Sequence, residues 1–291
     1  MTPQASAATV RALLADAAAV LARAGVPGPE VDAELLVGHV LGEGRGRVQA
    51  LALLDAHVAD DAATRVRELT ERRAAREPLQ HITGRAPFRS LELAVGPGVF
   101  VPRPETEQVA QFAIDALRAV PSPEPVAVDL GTGSGAIALA LATEVPHARV
   151  FAVENSPEAF VWMRQNVDAV GATNLRPVFI DLADALPELD GTVDVVISNP
   201  PYVPDDAIPR DPEVRLHDPA AALYGGPDGL DVVRVISGVA RRLLRPGGTL
   251  VLEHGELQGA AIRELLTADG WRSAATHRDL TTRDRATTAV R

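Results

Sequence analysis

The stretch Val126-Ala-Val-Asp-Leu-Gly-Thr-Gly-Ser-Gly-Ala136 decides how this chain is read. An apolar run of strand length ends in a glycine-rich turn, and an Ala- and Leu-rich segment of helical length follows. Working outward from it, strands and helices alternate. Strands are predicted at 126–130, 149–154, 176–180, 193–198 and 249–253, with closing strands at 272–276 and 285–290. Helices fall between them, the clearest at 228–244 and 260–268. This alternation predicts an α/β fold with a largely parallel, doubly wound sheet.

The turn itself is built for a ligand. Glycines let the backbone turn tightly and come close to a bound group, and the next helix offers unpaired N–H groups. Asp129, Gly131, Thr132, Gly133, Ser134 and Gly135 form a D-x-G-x-G-x-G pattern, the form typical of S-adenosylmethionine (SAM) sites, where no pyrophosphate must be held. Gly131-x-Gly133-x-x-Ala136 also fits a nicotinamide or flavin dinucleotide fingerprint, so this motif alone favours SAM and leaves the other open. Glu154 closes the next strand, placed to accept hydrogen bonds from a ribose diol.

The second motif narrows the choice. The apolar strand ending at Ser198 runs directly into Asn199-Pro200-Pro201-Tyr202. Counting the glycine-rich turn's strand as the first, it is the fourth strand, and its carboxyl end is expected in the ligand crevice. The two prolines stiffen the backbone and donate no N–H, leaving nearby carbonyls as acceptors. Asn199 both donates and accepts, and Tyr202 offers a flat face. Such a site suits a planar NH2 group, either a base amine or a carboxamide.

Composition removes other chemistries. The 291 residues contain no cysteine, which excludes disulfides, Cys-ligated zinc and a thiol nucleophile. All 28 basic residues are Arg, which excludes Lys Schiff-base chemistry and a P-loop Lys. The missing Lys reads as codon bias of a GC-rich genome. A net charge of −11 disfavours a nucleic-acid partner. The apolar stretch 5–24 is broken by Arg11, Asp16 and Arg23, so neither a signal peptide nor a membrane span is expected, and the predicted location is the cytoplasm.

Three regions are expected: a helical bundle over 1–77, a β-hairpin linker over 78–105 punctuated by Gly and Pro, and the α/β domain over 106–291. From Thr64 to Arg89 stand seven arginines (65, 67, 72, 73, 76, 85 and 89) against three glutamates (68, 71 and 77), locally +4. This reads either as a solvated helical face or as a docking face for an acidic partner. His39 and His57 read as core-edge or surface residues. His217 and His254 are weak candidates for a base.

Six segments occur in order: Arg76-Glu-Pro-Leu-Gln-His-Ile-Thr-Gly84, Val101-Pro-Arg-Pro-Glu-Thr-Glu107, the 129–135 turn, Ser198-Asn-Pro-Pro-Tyr202, Tyr224-Gly-Gly-Pro-Asp-Gly-Leu230 and Arg283-Asp-Arg285. Together they resemble the PrmC/HemK family of release factor glutamine methyltransferases over nearly the whole chain. The resemblance implies a Rossmann-like class I SAM-dependent methyltransferase domain behind an N-terminal helical domain that helps hold the partner. It implies methyl transfer from SAM to the side-chain amide nitrogen of the Gln in the Gly-Gly-Gln loop of class I peptide chain release factors. Carried over, Gly131–Gly135 line the methionine part of SAM, Glu154 meets the ribose, Asp181 lies near the adenine edge, and Asn199, Pro200, Pro201 and Tyr202 clasp the Gln amide. Two positions depart from the family pattern. Glu154 stands where Asp is usual, and Leu182 and Ala183 replace an aromatic pair. The rivals are a glutamine methyltransferase acting on a ribosomal protein, an adenine-N6 nucleic-acid methyltransferase, and a non-catalytic SAM-binding adaptor.

Overall fold

The computed structural model describes residues 8–291; residues 5–7 of the apolar stretch discussed above lie outside them. The chain forms two compact units. One combines the described part of Met1–Gly84 with Arg210–His217, and the other combines Arg85–Pro209 with Asp218–Arg291.

The first unit is helical. Thr9 caps α1 (Val10–Arg23) by accepting from the Ala12 N–H, and Val10, Leu13, Ala17 and Leu21 form its buried stripe. Pro29 opens α2 (Pro29–Leu41) with Glu30 and Asp32 in its first turn, where acidic groups favour the helix dipole. The third helix, α3 (Arg45–Leu53), has Gly44 as its N-cap. In α4 (Asp60–Ala74) two Asp at the start and two Arg at the end both suit the dipole. The short α5 (Leu79–Thr83) closes the run against Gly84. Leu21, Leu36 and Leu69 are fully buried in one cluster, each stabilising the unit by about 1.5–3 kcal/mol.

Of the arginines of 64–89, Arg73 and Arg76 are held in an ion-pair network, while Arg65, Arg67 and Arg72 are exposed. Arg73 is 6% exposed. Its Nε donates to Asp32 at 2.7 Å and its Nη1 to Glu213 at 2.7 Å. Arg76 donates twice more to Glu213, at 2.9 and 2.6 Å, and also to the Gly25 carbonyl. Glu213 lies on a short helix, Pro212–His217, that joins this unit from far along the chain. Burial opposes its charge, but the Arg76 and Arg73 hydrogen bonds more than offset this and hold its carboxyl at about 2. Arg72 pairs with Glu77, Arg65 with Glu68, and Arg85 with Glu92. Reversing Arg73 to Glu would place a third carboxylate beside Asp32 and Glu213, so the expected result is a folding defect rather than a docking defect.

The second unit opens with a hairpin of β1 (Arg85–Phe88) and β2 (Leu91–Ala94). Arg89 at its tip donates to the carboxylate of Glu144, to Gln111 at 2.7 Å and to the Glu107 carbonyl at 2.9 Å. It thereby pins the hairpin to α6 (Pro104–Arg118) and α7 (Ala136–Glu144). Among the described residues, seven strands then form one sheet. They are β3 (Val126–Leu130), β4 (Arg149–Glu154), β5 (Leu175–Phe179), β6 (Val193–Ser198), β7 (Leu244–Glu253), β8 (Arg272–Arg278) and β9 (Asp284–Val290), in the order β5-β4-β3-β6-β7-β9-β8. Strands β3 to β7 run parallel, and β9 lies antiparallel between β7 and β8. Helices α8 (Pro157–Val170), α10 (Ala220–Leu223), α11 (Asp231–Leu243) and α12 (Gly259–Ala268) complete the unit, the Pro212–His217 helix being α9.

Strand β6 is buried along all six residues, which explains the unbroken apolar run Val195-Val-Ile197 at its centre. Every residue of α7 from Ala136 to Ala142 is buried, so its pattern is apolar all round rather than striped. The chain leaves β3 for β4 and β5, then returns to β6 on the other side of β3. That reversal opens a crevice at the carboxyl end of β3.

Candidate active site at the carboxyl end of the sheet

Asp129, one residue before the end of β3, is fully buried and builds the turn from below. One oxygen accepts from the Thr132 hydroxyl at 2.5 Å and the Ala138 N–H at 3.2 Å; the other, Oδ1, has no partner. Burial pushes this carboxyl up to about 7 against the pull of those two bonds. Gly131, Gly133 and Gly135 all lie at positive φ, 72°, 59° and 84°. A Cβ at Gly131 or Gly133 would meet nothing within 4 Å, so the turn presents bare backbone to open space. The side chains of Thr132 and Ser134 are buried and do not project into that space.

Glu154 stands at the end of β4 and ties the turn down. Its Oε2 accepts from the Gly133 N–H at 2.8 Å, and its Oε1 from the Asn155 and Ser156 N–H groups at 2.9 and 2.8 Å. The extra methylene relative to Asp lets one carboxylate bridge two loops. Asp181, beyond β5, accepts from the Ala183 N–H at 2.9 Å and from Asn155 Nδ2 at 3.0 Å. Leu182 follows it, half-buried against the sheet cluster. The ends of β3, β4 and β5 are thus joined by Glu154, Asn155 and Asp181.

On the other side of β3, Ser198 donates to the Leu130 carbonyl at 2.6 Å, which places Asn199 beside the glycine-rich turn. Asn199 Nδ2 donates to Thr106 Oγ1 at 3.4 Å. Pro201 and Tyr202 rest on the Gly225–Leu230 loop. A Cβ on Gly225 would lie 2.5 Å from the Pro201 carbonyl oxygen, and one on Gly229 would lie 2.2 Å from that of Tyr202. Val203 also exchanges backbone hydrogen bonds with Leu223 and Gly225. Gln258 Nε2 donates to the Tyr202 carbonyl at 2.9 Å. Burial, with the nearby Glu253 charge, pushes the Tyr202 phenol up to about 12, so it stays protonated.

Glu253, at the end of β7, is 1% exposed with Oε2 unpartnered. Burial pushes its carboxyl up to about 7, against a Thr106 hydrogen bond and the Arg285 charge. His254 is fully buried, its Nδ1 against the Gly255 carbonyl at 2.8 Å and its Nε2 against Thr287 at 2.9 Å, and burial lowers its pKa. Both ring nitrogens are engaged, so it is a packing residue and not a base. His217 lies in α9, in the helical unit.

The two motifs read from sequence therefore meet at β3, with Glu154 and Asp181 on one flank and Asn199 to Tyr202 on the other. Sequence reasoning does not single out Thr106, Glu253 or Gln258. The signal for Thr106 is present in the P-R-P-E-T-E segment, and the G-G-P-D-G-L segment announces the bed beneath Tyr202.

The strand order and the glycine-rich turn define the class I methyltransferase fold. It is shared with a methyltransferase from Pyrococcus furiosus, 21% identical over 69% of this chain and 89% of that one, with a TM-score of 0.50. Two family models match, "PrmC N-terminal domain" over residues 12–84 and "Methyltransferase small domain" over residues 90–220. Curated relatives named release factor glutamine methyltransferase include one from Streptomyces coelicolor, 52% identical over 95% of this chain and 96% of its own length. Another, from Mycolicibacterium smegmatis, is 47% identical over 97% and 98%. The chain belongs to the release factor glutamine methyltransferase family, as the resemblance read from its motifs implies. No helix among the described residues is long and apolar enough to cross a membrane.

Proposed function

We propose that the protein methylates the side-chain amide nitrogen of the glutamine in the Gly-Gly-Gln loop of class I peptide chain release factors, with SAM as donor. What supports this reading is the Ser198–Leu130 hydrogen bond, which ties the start of the Asn199-Pro-Pro-Tyr202 loop to the start of the open-backbone turn of Gly131 and Gly133. That open backbone fits SAM: it offers space that any side chain would fill, flanked by acidic groups for a ribose and an amine.

SAM, when bound, supplies an electrophilic sulfonium methyl. The protein's task is to present a weak nucleophile. An amide nitrogen has a delocalised lone pair and is too weakly acidic to lose a proton at neutral pH. Asn199 Oδ1 and the Pro200 carbonyl are acceptors for its two N–H bonds. Both stabilise the positive charge that develops on nitrogen during attack. Pro200 and Pro201 hold these acceptors rigidly, and the Gly225–Leu230 bed fixes Tyr202 as a wall, so orientation supplies much of the acceleration. No base is required; the proton leaves to water after transfer.

The test is mass spectrometry of a class I release factor incubated with the protein and SAM, with Asn199→Ala as control. One methyl group on the Gly-Gly-Gln peptide, absent with the control, is the expected result. An unmodified release factor beside a methylated ribosomal protein or adenine would overturn the reading.

A further inference from the structure

Gln258 stands immediately before α12, where a short polar side chain usually caps a helix by accepting from its first N–H groups. Here no side-chain cap is made. The amide turns away from the helix and enters the junction of three loops. Its Oε1 accepts from the Gly255 N–H at 2.9 Å, and its Nε2 donates to the Tyr202 carbonyl at 2.9 Å. The carbonyls of Asp228 and Gly229 lie 3.4 and 3.5 Å from the same nitrogen. Only one orientation of the amide satisfies these partners. A backbone N–H can only donate and a backbone carbonyl can only accept, so Oε1 faces Gly255 and Nε2 faces Tyr202.

We infer that Gln258 is a positioning residue for methyl transfer, which holds the Tyr202–Val203 peptide and, through it, the Asn199-Pro200-Pro201 clasp. That peptide is gripped at both ends. Its carbonyl is held by Gln258, and its N–H, on Val203, donates to the Leu223 carbonyl at 2.8 Å. The loop that carries Gln258 also floors the tyrosine ring, since a Cβ on Gly255 would lie 3.6 Å from Tyr202 Cδ2. Pro200 and Pro201 separate this peptide from Asn199, and their fixed φ leaves the segment few ways to absorb a displacement. A shift at the Tyr202 carbonyl is therefore passed to the Pro200 carbonyl, one of the two acceptors for the substrate NH2.

The surroundings explain why the residue is an amide. Three backbone oxygens converge on Nε2, and their negative ends repel one another unless a donor sits among them. A methionine of similar length would fill the space and leave the Tyr202 carbonyl without this donor. A glutamate would still accept from Gly255 but would set a negative charge against three acceptors.

This inference rests on the proposed amide-methylating role of the Asn199-Pro-Pro-Tyr202 loop, and the experiment separates the two. The wild type, Gln258→Glu and Gln258→Met are compared at pH 8, where a half-buried glutamate is ionised. Methyl transfer to a class I release factor, SAM affinity and stoichiometry, melting temperature and hydrogen exchange at the Val203 amide are measured. Gln258→Glu keeps the Gly255 bond and loses the donor to Tyr202. Its kcat per SAM-binding site is expected to fall about 10- to 100-fold, with KM and SAM affinity within about twofold. Val203 should exchange at least about 10-fold faster, since its peptide has lost one of its two holds. Gln258→Met should lose a similar factor in kcat and melt at a lower temperature, because both bonds go. Wild-type kcat in Gln258→Glu, or unchanged exchange at Val203, would overturn the inference. So would a Gln258→Met enzyme that is impaired while Gln258→Glu is spared, because only the folding of the 254–258 loop would then matter. A wild type that leaves the release factor unmethylated, with Val203 exchange still faster in Gln258→Glu, would overturn the substrate assignment alone and leave the hold on Tyr202 standing.

Discussion

Gly229 and Tyr202 lie so close that a Cβ on the glycine would stand 2.2 Å from the tyrosine carbonyl oxygen. The glycine also holds φ at 73°, a conformation unfavourable to other residues. Gly229→Ala must therefore push the Tyr202 backbone away from its bed. Displacement of about 1 Å at a reacting site costs about 100-fold in rate. Methyl transfer should fall by that order while SAM affinity, set on the other side of β3, stays near wild type. Calorimetry and a kinetic assay on the same protein check both halves.

Gly133 is the opposite case, since a Cβ there would meet nothing. Gly133→Val puts a branched side chain into the space assigned to SAM, at a φ of 59°. Backbone strain of about 1–3 kcal/mol is expected, lowering the melting temperature modestly. SAM affinity should drop at least about 100-fold, because the side chain occupies the ligand's volume. Near-normal affinity by calorimetry in the folded variant would remove this turn from the site.

Glu213 carries a pH signature within the helical unit. Its carboxyl is held at about 2, below the ordinary 4.5. The stability it contributes is fully present above about 4.5 and is lost as pH falls through about 2. Glu213→Gln should remove that acid-side loss and cost about 1–3 kcal/mol at neutral pH, because two arginines lose a charged acceptor. Urea unfolding of the wild type and variant across pH 2–7 measures it; parallel curves would show that Glu213 is not ionised in this network.

Glu253 shifts the other way. Burial raises its carboxyl from 4.5 to about 7, so the fold favours the neutral form. Its contribution is fully present below about 4.5 and is lost as pH rises through about 7. Glu253→Gln should flatten that decline in part, since Asp129, also raised to about 7, adds a decline of its own. Thermal melts between pH 4.5 and 8 would show the difference in slope. Identical slopes in wild type and variant would contradict a raised Glu253.

Much of the site is legible in short windows of sequence. Asp129 to Gly135 can be read because a strand, a glycine turn and a helix are local events. Asn199 to Tyr202 can be read because two prolines after a buried strand leave few alternatives. Glu154 is legible as an acceptor, but the donors it meets are not: both oxygens take N–H groups of the turn and of its own loop. The arginines of 64–89 escape a local reading because a charge count over that segment omits Glu213, 140 residues from Arg73.

The sequence by itself determined the parallel α/β architecture, the helical unit ahead of it, the glycine-rich turn and the Asn199-Pro-Pro-Tyr202 loop. Each rests on periodicity or on backbone chemistry within a few residues. The tertiary structure alone decided what meets what. Thr106 comes from the start of α6, and Asn199 follows the end of β6. They share a hydrogen bond because α6 packs against that strand. Sheet order is set by the joint burial of all strands, a property of the whole core, and no window of sequence contains it.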